Sequence, residues 1–374
     1  MSGLDVLVVN AGSSSLKVSV VGGADQVRAE LELDCWDGSP DHRELTSFLS
    51  AQGSVAVAGH RVVHGGRAFT GPVLVDDAVL AGIGALTDLA PLHQPRALAG
   101  IAAVRRLLPA VPEVACFDTA FHADLPAEAA SYALPADWTE RFGLRRYGFH
   151  GLSHSYASRR AAELVGTGAA GSSGLRIVTC HLGAGASLAA VMDGRCVDTT
   201  MGFTPLEGLV MATRSGSVDP GLIIWLAEHG GLSVGEIADG LERRSGLAGL
   251  ARLAGSAGDM RDIHAAADAG DPHASLAIDV YMHRLRREIA AMAAAMNGLD
   301  ALVFTAGVGE HDPLIRARVA AGLAFLGVAI DHGINQAAVD DTDISAAGAA
   351  VRTLRLTARE DIEIARESRR IIDG

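Results

Sequence analysis

Lysine is nearly missing from this chain. Of its 31 basic residues only Lys17 is a lysine, and the other 30 are arginine. An arginine-favouring coding bias accounts for most of that pattern. The exception stands beside a Gly/Ser-rich loop, where a compact ammonium on a flexible stem is hard to replace with a planar guanidinium. Aromatic residues are also scarce, at 4%, so the core has to be built from Ala, Val, Leu and Ile. Cysteine is limited to Cys35, Cys116, Cys180 and Cys196, with no C-x-x-C pair. That excludes a disulfide framework and fits buried thiols in a reducing compartment. Positive charge is in deficit: the net charge of −13 argues against nucleic acid or an anionic membrane as the main partner. No basic segment leads into an apolar one at the start, since Asp5 interrupts the first apolar run. The Ala-rich stretch 289–308 is broken by Asn297, Gly298 and Asp300, so no membrane span is expected. The composition predicts a soluble, cytoplasmic protein.

What is present is ample core material, 49% hydrophobic over 374 residues, enough for two domains. Leu4–Asn10 is an apolar run, followed by Ala11-Gly12-Ser13-Ser14-Ser15 and then alternating Leu16, Val18 and Val20. This spacing predicts strand, tight turn, strand. A second copy spans 175–191: Ile177–His181, the turn Leu182-Gly183-Ala184-Gly185-Ala186-Ser187, then a further apolar run. The copies align with a slip of one residue at the turn, which suggests duplicated domains. A third apolar run, Ala301–Thr305, leads into Ala306-Gly307-Val308-Gly309-Glu310, with a helix expected after Pro313. Amphipathic stretches Ala97–Leu108, Ser153–Leu164, Asp219–Glu228, Leu276–Met296 and Ile362–Ile371 predict helices. Alternating strands and helices give an α/β class. The Gly/Ser/Thr-rich stretch 166–174 reads as a connection.

Three glycine turns that each follow a strand point to phosphate binding, because successive backbone N–H groups in such turns form an anion-binding concavity. None matches the G-x-x-x-x-G-K-[ST] loop, and Gly307-Val308-Gly309 does not complete G-x-G-x-x-G. His60 and His64, and His150 and His154, are four apart but lack the H-E-x-x-H glutamate, so a zinc site is not expected. Asp118 follows an apolar run, Glu360 precedes the last helix, the block that holds Arg61 follows the apolar run 55–58 and so stands at a predicted strand end, and Arg214 is a further candidate. Phosphoryl transfer needs such a set: carboxylates for a cation, and guanidinium groups for the transferring oxygens.

Those residues lie within a longer likeness. Asn10-Ala11-Gly12-Ser13-Ser14-Ser15-Leu16-Lys17 resembles the N-terminal signature of the acetate kinases, and Met201-Gly202-Phe203-Thr204-Pro205-Leu206-Glu207-Gly208-Leu209 resembles their second signature. The blocks His60–Gly66, Ala90–His93, Phe117–His122, Tyr147–Gly151 and Ala212–Pro220 agree as well, in order, from about residue 5 to about 370. The resemblance implies duplicated RNase H-like domains of the actin-like ATPase kind, with a nucleotide cleft between them. It implies a first domain of 1–149 plus about 361–374, and a second of about 150–360 that binds nucleotide and forms a homodimer. It implies reversible transfer of the γ-phosphoryl group of ATP to acetate, giving acetyl phosphate and ADP, with Mg²⁺ (or Mn²⁺ in its place).

Carried over by position, Arg61, Arg214, Asp118 and His150 would be catalytic, and Asn10 and Glu360 would hold the metal. Arg61, Val63, Leu92, His93, Phe149 and Pro205 would bind the acyl substrate. Lys17, His181, Leu182, Gly183, Ala184, Gly185, Asp259, Met260, Arg261, Gly307, Val308, Gly309, Glu310 and His311 would bind ATP. Two departures stand out: Ala184 and His311 each occupy a place where the family usually has Asn. Alternatives in view are a kinase for propionate or another short acyl group, a pyrophosphate-linked member, and a silent nucleotide-binding protein.

Overall fold

The computed structural model describes residues 3–12, 15–34, 36, 38–39, 42–91, 93–166 and 174–373. Ser13, Ser14, Cys35, Leu92 and most of the 166–174 connection lie outside the described residues. The chain divides into two compact units. One comprises 1–123, 149–156 and 359–374, and the other 124–148 and 157–358. The segment 124–148, read from the sequence as part of the first domain, packs with the second unit. There Arg146 and Tyr132 bind the loop around Glu207.

The first unit is built on a sheet of β1 (Val6–Ala11), β2 (Ser15–Val21), β3 (Val27–Asp34), β4 (Val57–Val62), β5 (Val73–Leu74) and β6 (Glu113–Phe117). The spatial order is β3-β2-β1-β4-β6-β5. β1, β2 and β3 form an antiparallel meander, and β1, β4 and β6 run parallel. Because side chains alternate across a strand, each strand divides its residues between two faces. Leu7, Val9, Leu16, Val18 and Ala58 pack with Leu45, Ala103 and Val104 on one face. Val6, Val8, Val57, Val114 and Cys116 pack on the other, against Ile364 and Ala365 of the helix Glu360–Asp373. That helix comes very close to the sheet: a Cβ on Gly59 would lie 2.3 Å from Ser368 Oγ and 2.6 Å from Ile364 Cγ2.

The second unit repeats the plan with β7 (Arg176–Leu182), β8 (Ala186–Met192), β9 (Arg195–Thr199), β10 (Ala301–Thr305), β11 (Thr342–Asp343) and β12 (Arg352–Arg355), ordered β11-β12-β10-β7-β8-β9. Again the first three strands are an antiparallel meander, with β10 and β12 parallel to β7. The one-residue slip between the two hairpins is visible in the registers. Ala11 pairs with Leu16 across four intervening residues, and Leu182 pairs with Ala186 across three. The fold is α/β, with two units of matching RNase H-like strand order.

Predicted helices are found at Gln94–Leu107, Gly151–Val165, Pro220–His229, Pro272–Ala295 and Glu360–Asp373. The third glycine turn differs from expectation. It is a short helix, Ala306–His311, followed by a second, Pro313–Gly322, whose N-cap Asp312 accepts hydrogen bonds from Leu314 N and Ile315 N. Among the described residues, no helix is long and apolar enough to cross a membrane.

Candidate active site

In the first unit, three strands each carry an apolar row that ends in a polar residue. The rows are Val6-Val8-Asn10, Val57-Gly59-Arg61 and Val114-Cys116-Asp118, all on the face covered by the last helix. Period-two alternation therefore delivers an amide, a guanidinium and a carboxylate to one place, and the helix adds Glu360 from its first turn. β4 continues through Val62, so Arg61 lies within the strand; the apolar run 55–58 had suggested an earlier end. The pairing extends one residue past β6 through Asp118 N, which donates to Val62 O at 3.0 Å.

Arg61 is the hub. Its Nε donates to Asp118 Oδ1 at 3.0 Å, and a terminal nitrogen reaches Oδ2 at 2.6 Å, the two-pronged arrangement that a guanidinium favours. The other terminal nitrogen donates to Asn10 Oδ1 at 3.2 Å and lies 3.8 Å from Glu360 Oε2, to which Asn10 Nδ2 donates at 3.4 Å. Burial disfavours the charge on Arg61, but Asp118 and Glu360 outweigh it and hold the guanidinium above its ordinary pKa. Asp118 is 1% exposed, and burial pushes its carboxyl up, opposed by Arg61.

His150 is set beside this cluster by the backbone. Gly151 N donates to Asp118 O at 2.8 Å, so close that a Cβ on Gly151 would fall 2.2 Å from that oxygen. His150, one residue earlier, has φ +57, a strained value for a non-glycine residue. Phe149 is buried, its carbonyl oxygen lies 3.0 Å from His122 Nε2, and its ring meets His64 edge-on at 5.4 Å. Burial lowers the His122 pKa to about 4, so this histidine is neutral. Val63 is buried just after β4, and His93 immediately precedes the helix Gln94–Leu107. Leu92 lies outside the described residues. Lys17, across the register from Asn10, is half-exposed and pairs with Glu32 at 3.1 Å.

The second unit contains a cavity of about 540 Å³. Eight residues expected to bind nucleotide line it: Gly183, Ala184, Asp259, Met260, Arg261, Gly307, Val308 and His311. Leu182 is fully buried under the turn, and Gly185 O accepts from Gly183 N at 3.0 Å, closing it. His181, at the end of β7, pairs in register with Thr305 at the end of β10. Ala212 N donates to Ala184 O, and Leu247 N donates to Met211 O, tying the turn to two further segments. Asp259 caps the helix Met260–Asp268 and binds Arg261, whose side chain holds the carboxyl at a pKa of about 2. Met211, Ala212, Leu247 and Tyr281 also line it, beside Ala257, Gly258 and Asp312. Sequence reasoning missed Met211, Ala212, Leu247 and Tyr281 because apolar residues in three separate segments look like core.

Arg214 NH1 donates to Pro205 O at 3.2 Å and lies 3.8 Å from Met211 Sδ. Among the described residues no carboxylate stands within ion-pair distance, and burial lowers its pKa. A partly desolvated cation of this kind is ready for an anion. The loop that carries Pro205 is braced by Glu207, which accepts from Tyr132 Oη at 2.7 Å and Arg146 at 2.9 Å.

The acetokinase family model matches residues 42–366. The chain belongs to the acetokinase family. The acetate kinase of Heliobacterium modesticaldum is 41% identical, over 99% of this chain and all of that protein. The acetate kinase of Thermotoga maritima is 42% identical over 98% of each. Among solved structures, that of Porphyromonas gingivalis acetate kinase superposes with TM-score 0.90 at 35% identity, covering 99% of this chain and all of that one. That of a propionate kinase from Francisella tularensis gives 0.89 at 36%, covering 98% and 100%. For this acetokinase, the superposition with both solved structures covers nearly all of the chain, both sheets included.

Proposed function

We propose that this acetokinase transfers the γ-phosphoryl group of ATP reversibly to acetate, forming acetyl phosphate and ADP. The observation that carries the reading is the Arg61–Asp118–Asn10–Glu360 cluster, a charged group at the ends of three apolar strand rows where it adds little to the core. A carboxylate acceptor is already a nucleophile, so the reaction needs alignment and charge neutralisation rather than a strong base. Arg61, held from two sides by Asp118 and Asn10, presents its charge in a fixed direction to the acceptor carboxylate or the transferring group. Arg214 supplies a second guanidinium, with no carboxylate within ion-pair distance among the described residues. His150, fixed in its strained conformation through Gly151, donates a hydrogen bond to a phosphoryl oxygen. Val63 and Phe149 bound the acyl methyl, and the cavity around Gly183 and Gly307 holds the nucleoside and its phosphates.

The oxygen donors Asn10, Asp118 and Glu360 fit a hard divalent cation that takes one or two carboxylates and fills its shell with water and phosphate oxygens. Among the described residues no group of three or more His, Cys, Asp and Glu could hold a metal, which favours Mg²⁺ over a metal held by protein ligands alone. Bound there, such an ion would neutralise charge on the phosphate oxygens, and Asn10 and Glu360 would hold it.

The two-domain roles follow the same reading: acyl substrate on the first unit, nucleotide on the second, in the cytoplasm where ATP is made and used. We also assign a homodimer to the second unit. The helix Pro220–His229 buries none of its residues, and Leu222, Ile224 and Trp225 are about half-exposed, more apolar surface than a lone helix leaves to water. The function is tested by trapping acyl phosphate as the hydroxamate, with ATP, Mg²⁺ and acetate or propionate, for the wild type and Arg214→Ala. Acetyl hydroxamate formed by the wild type and lost in the variant supports the proposal. Product only from a pyrophosphate-coupled donor, or none at all, overturns it. A single methylene is worth only ~1–3 kcal/mol in such a pocket, so some propionate turnover is expected.

A further inference from the structure

Glu310 lies on the short helix that forms one wall of the nucleotide cavity, yet it does not line that cavity; Gly307, Val308 and His311 do. Its carboxylate is turned inward, and the residue is 8% exposed. Oε1 accepts from Ala306 N at 2.9 Å and from Ala358 N at 2.8 Å, while Oε2 lies 3.4 Å from Arg355. Arg316, at 1% exposure one of the largest fully buried side chains, reaches the same helix from the other side. It donates to Gly309 O at 2.9 Å and Glu310 O at 2.8 Å, and it is anchored by Asn335 Oδ1 at 2.7 Å and Asn335 O at 2.8 Å. The helix opens at Ala306 with φ +63, a conformation that an alanine adopts only when its surroundings impose it.

Two buried guanidinium groups and one buried carboxylate are a costly way to stabilise a fold; well-packed apolar residues of the same volume do as well or better. What such a network provides is a single allowed geometry for the backbone it binds. Here that backbone is Ala306 N, Gly309 O and Glu310 O, the frame on which Gly307, Val308 and His311 are hung. Burial and the neighbouring Arg355 charge lower the Arg316 pKa, with Asp312 opposing.

We propose that Glu310, with Arg355 and Arg316, is a positioning group that holds the Gly307–Val308–His311 wall in its nucleotide-accepting shape, and is not itself a nucleotide contact. The inference rests on the nucleotide reading of this cavity. It separates residues that touch the ligand from a triad, ligand-free in the interior, that sets where they stand.

The test uses the full chain with Mg²⁺, measuring ADP affinity by calorimetry and KM for ATP and for acetate. Two conservative variants keep the interior filled: Glu310→Gln, which retains an acceptor oxygen but no charge, and Arg355→Lys, which retains the charge but not the fork. Each is expected to weaken ADP binding and raise KM for ATP by about tenfold, while KM for acetate stays within about twofold. Arg355 is distant in role from any ligand, so a loss in Arg355→Lys matching that of Glu310→Gln is the signature of positioning. Wild-type ADP affinity in Arg355→Lys overturns the proposal, whatever Glu310→Gln does. Equal losses in both KM values also overturn it, because that pattern marks general destabilisation. A wild-type protein that binds no ADP removes the nucleotide reading and this inference together. A wild type that binds ADP beside variants that bind it equally well removes the inference alone.

Discussion

The two sheets have one strand order and opposite furnishings. In the first, the polar ends of β1, β4 and the chain after β6 are Asn10, Arg61 and Asp118, knitted into one ionic cluster. In the second, β7 and β10 end in His181 and Thr305, and β12 ends in Arg355, which pairs with the inward-turned Glu310. The adjacent loops there surround a cavity with glycine, apolar side chains and the exposed charges of Asp259 and Arg261. The strand scaffold therefore specifies where groups are presented and leaves open which chemistry they perform. In the proposed reading the linked ions of the first sheet receive a small anion, and the glycine turns and apolar wall of the second receive a large, partly apolar ligand.

If that division of labour holds, damage to one sheet's ends leaves the other's task intact. The largest expected effect is from Arg61→Ala. It is predicted to lower kcat by about 10³-fold or more, as removal of a charge-stabilising group does, with ADP affinity unchanged within about twofold. Calorimetry beside steady-state kinetics reads both, and a parallel loss of ADP affinity breaks the comparison. The converse change, Ala212→Leu, places extra volume in the cavity wall. It is predicted to raise KM for ATP by about tenfold and to leave KM for acetate within about twofold, since overfilling a packed site costs about 1–3 kcal/mol.

The smallest effect concerns the interior behind Asp118. Glu367 has one carboxyl oxygen buried without a hydrogen-bond partner. Burial is the main cause that pushes its pKa up from 4.5 to about 7, with Cys116 and Arg370 opposing and Glu363 and Asp118 adding. A carboxyl with a raised folded-state pKa holds a proton that the unfolded chain releases. The stability this contributes is present below about pH 4.5 and is lost as the pH rises through about 7. Glu367→Gln is therefore predicted to be more stable than the wild type at pH 8, by on the order of 1 kcal/mol, and equal to it near pH 4.5. Urea melts at the two pH values check it; a pH-independent difference places the origin of the effect elsewhere.

Much of this was legible beforehand, for reasons that differ by residue. The hairpins and long helices are written in local periodicity, and the ordered blocks around Asn10, His60, Asp118 and Met201 pointed to the family. The pairing of Arg61 with Asp118 was not legible. It depends on β4 running on to Val62 and on the register with β6, both products of tertiary pairing. Tyr281 and Met211 carry no mark that distinguishes a cavity wall from a core. Glu310 shows the opposite case: its block placed it among ligand contacts, while its side chain serves the interior. The short helix Ala306–His311 reads locally as a loop, because two glycines outweigh the helix preference of its other four residues.

Asn10 and Glu360 meet across 350 residues of chain, and that distance has a consequence in time. As the chain leaves the ribosome, Asn10, Arg61 and Asp118 emerge early. The helix that covers Val6, Val57 and Cys116 and brings Glu360 is translated only after most of the second unit has been made. The nascent first unit thus waits with one greasy flank bare, open to chaperones and to misassembly. The ion cluster can be completed only once Glu360 has been made, so under the proposed mechanism the nascent first unit stays inert until the chain has passed through the second.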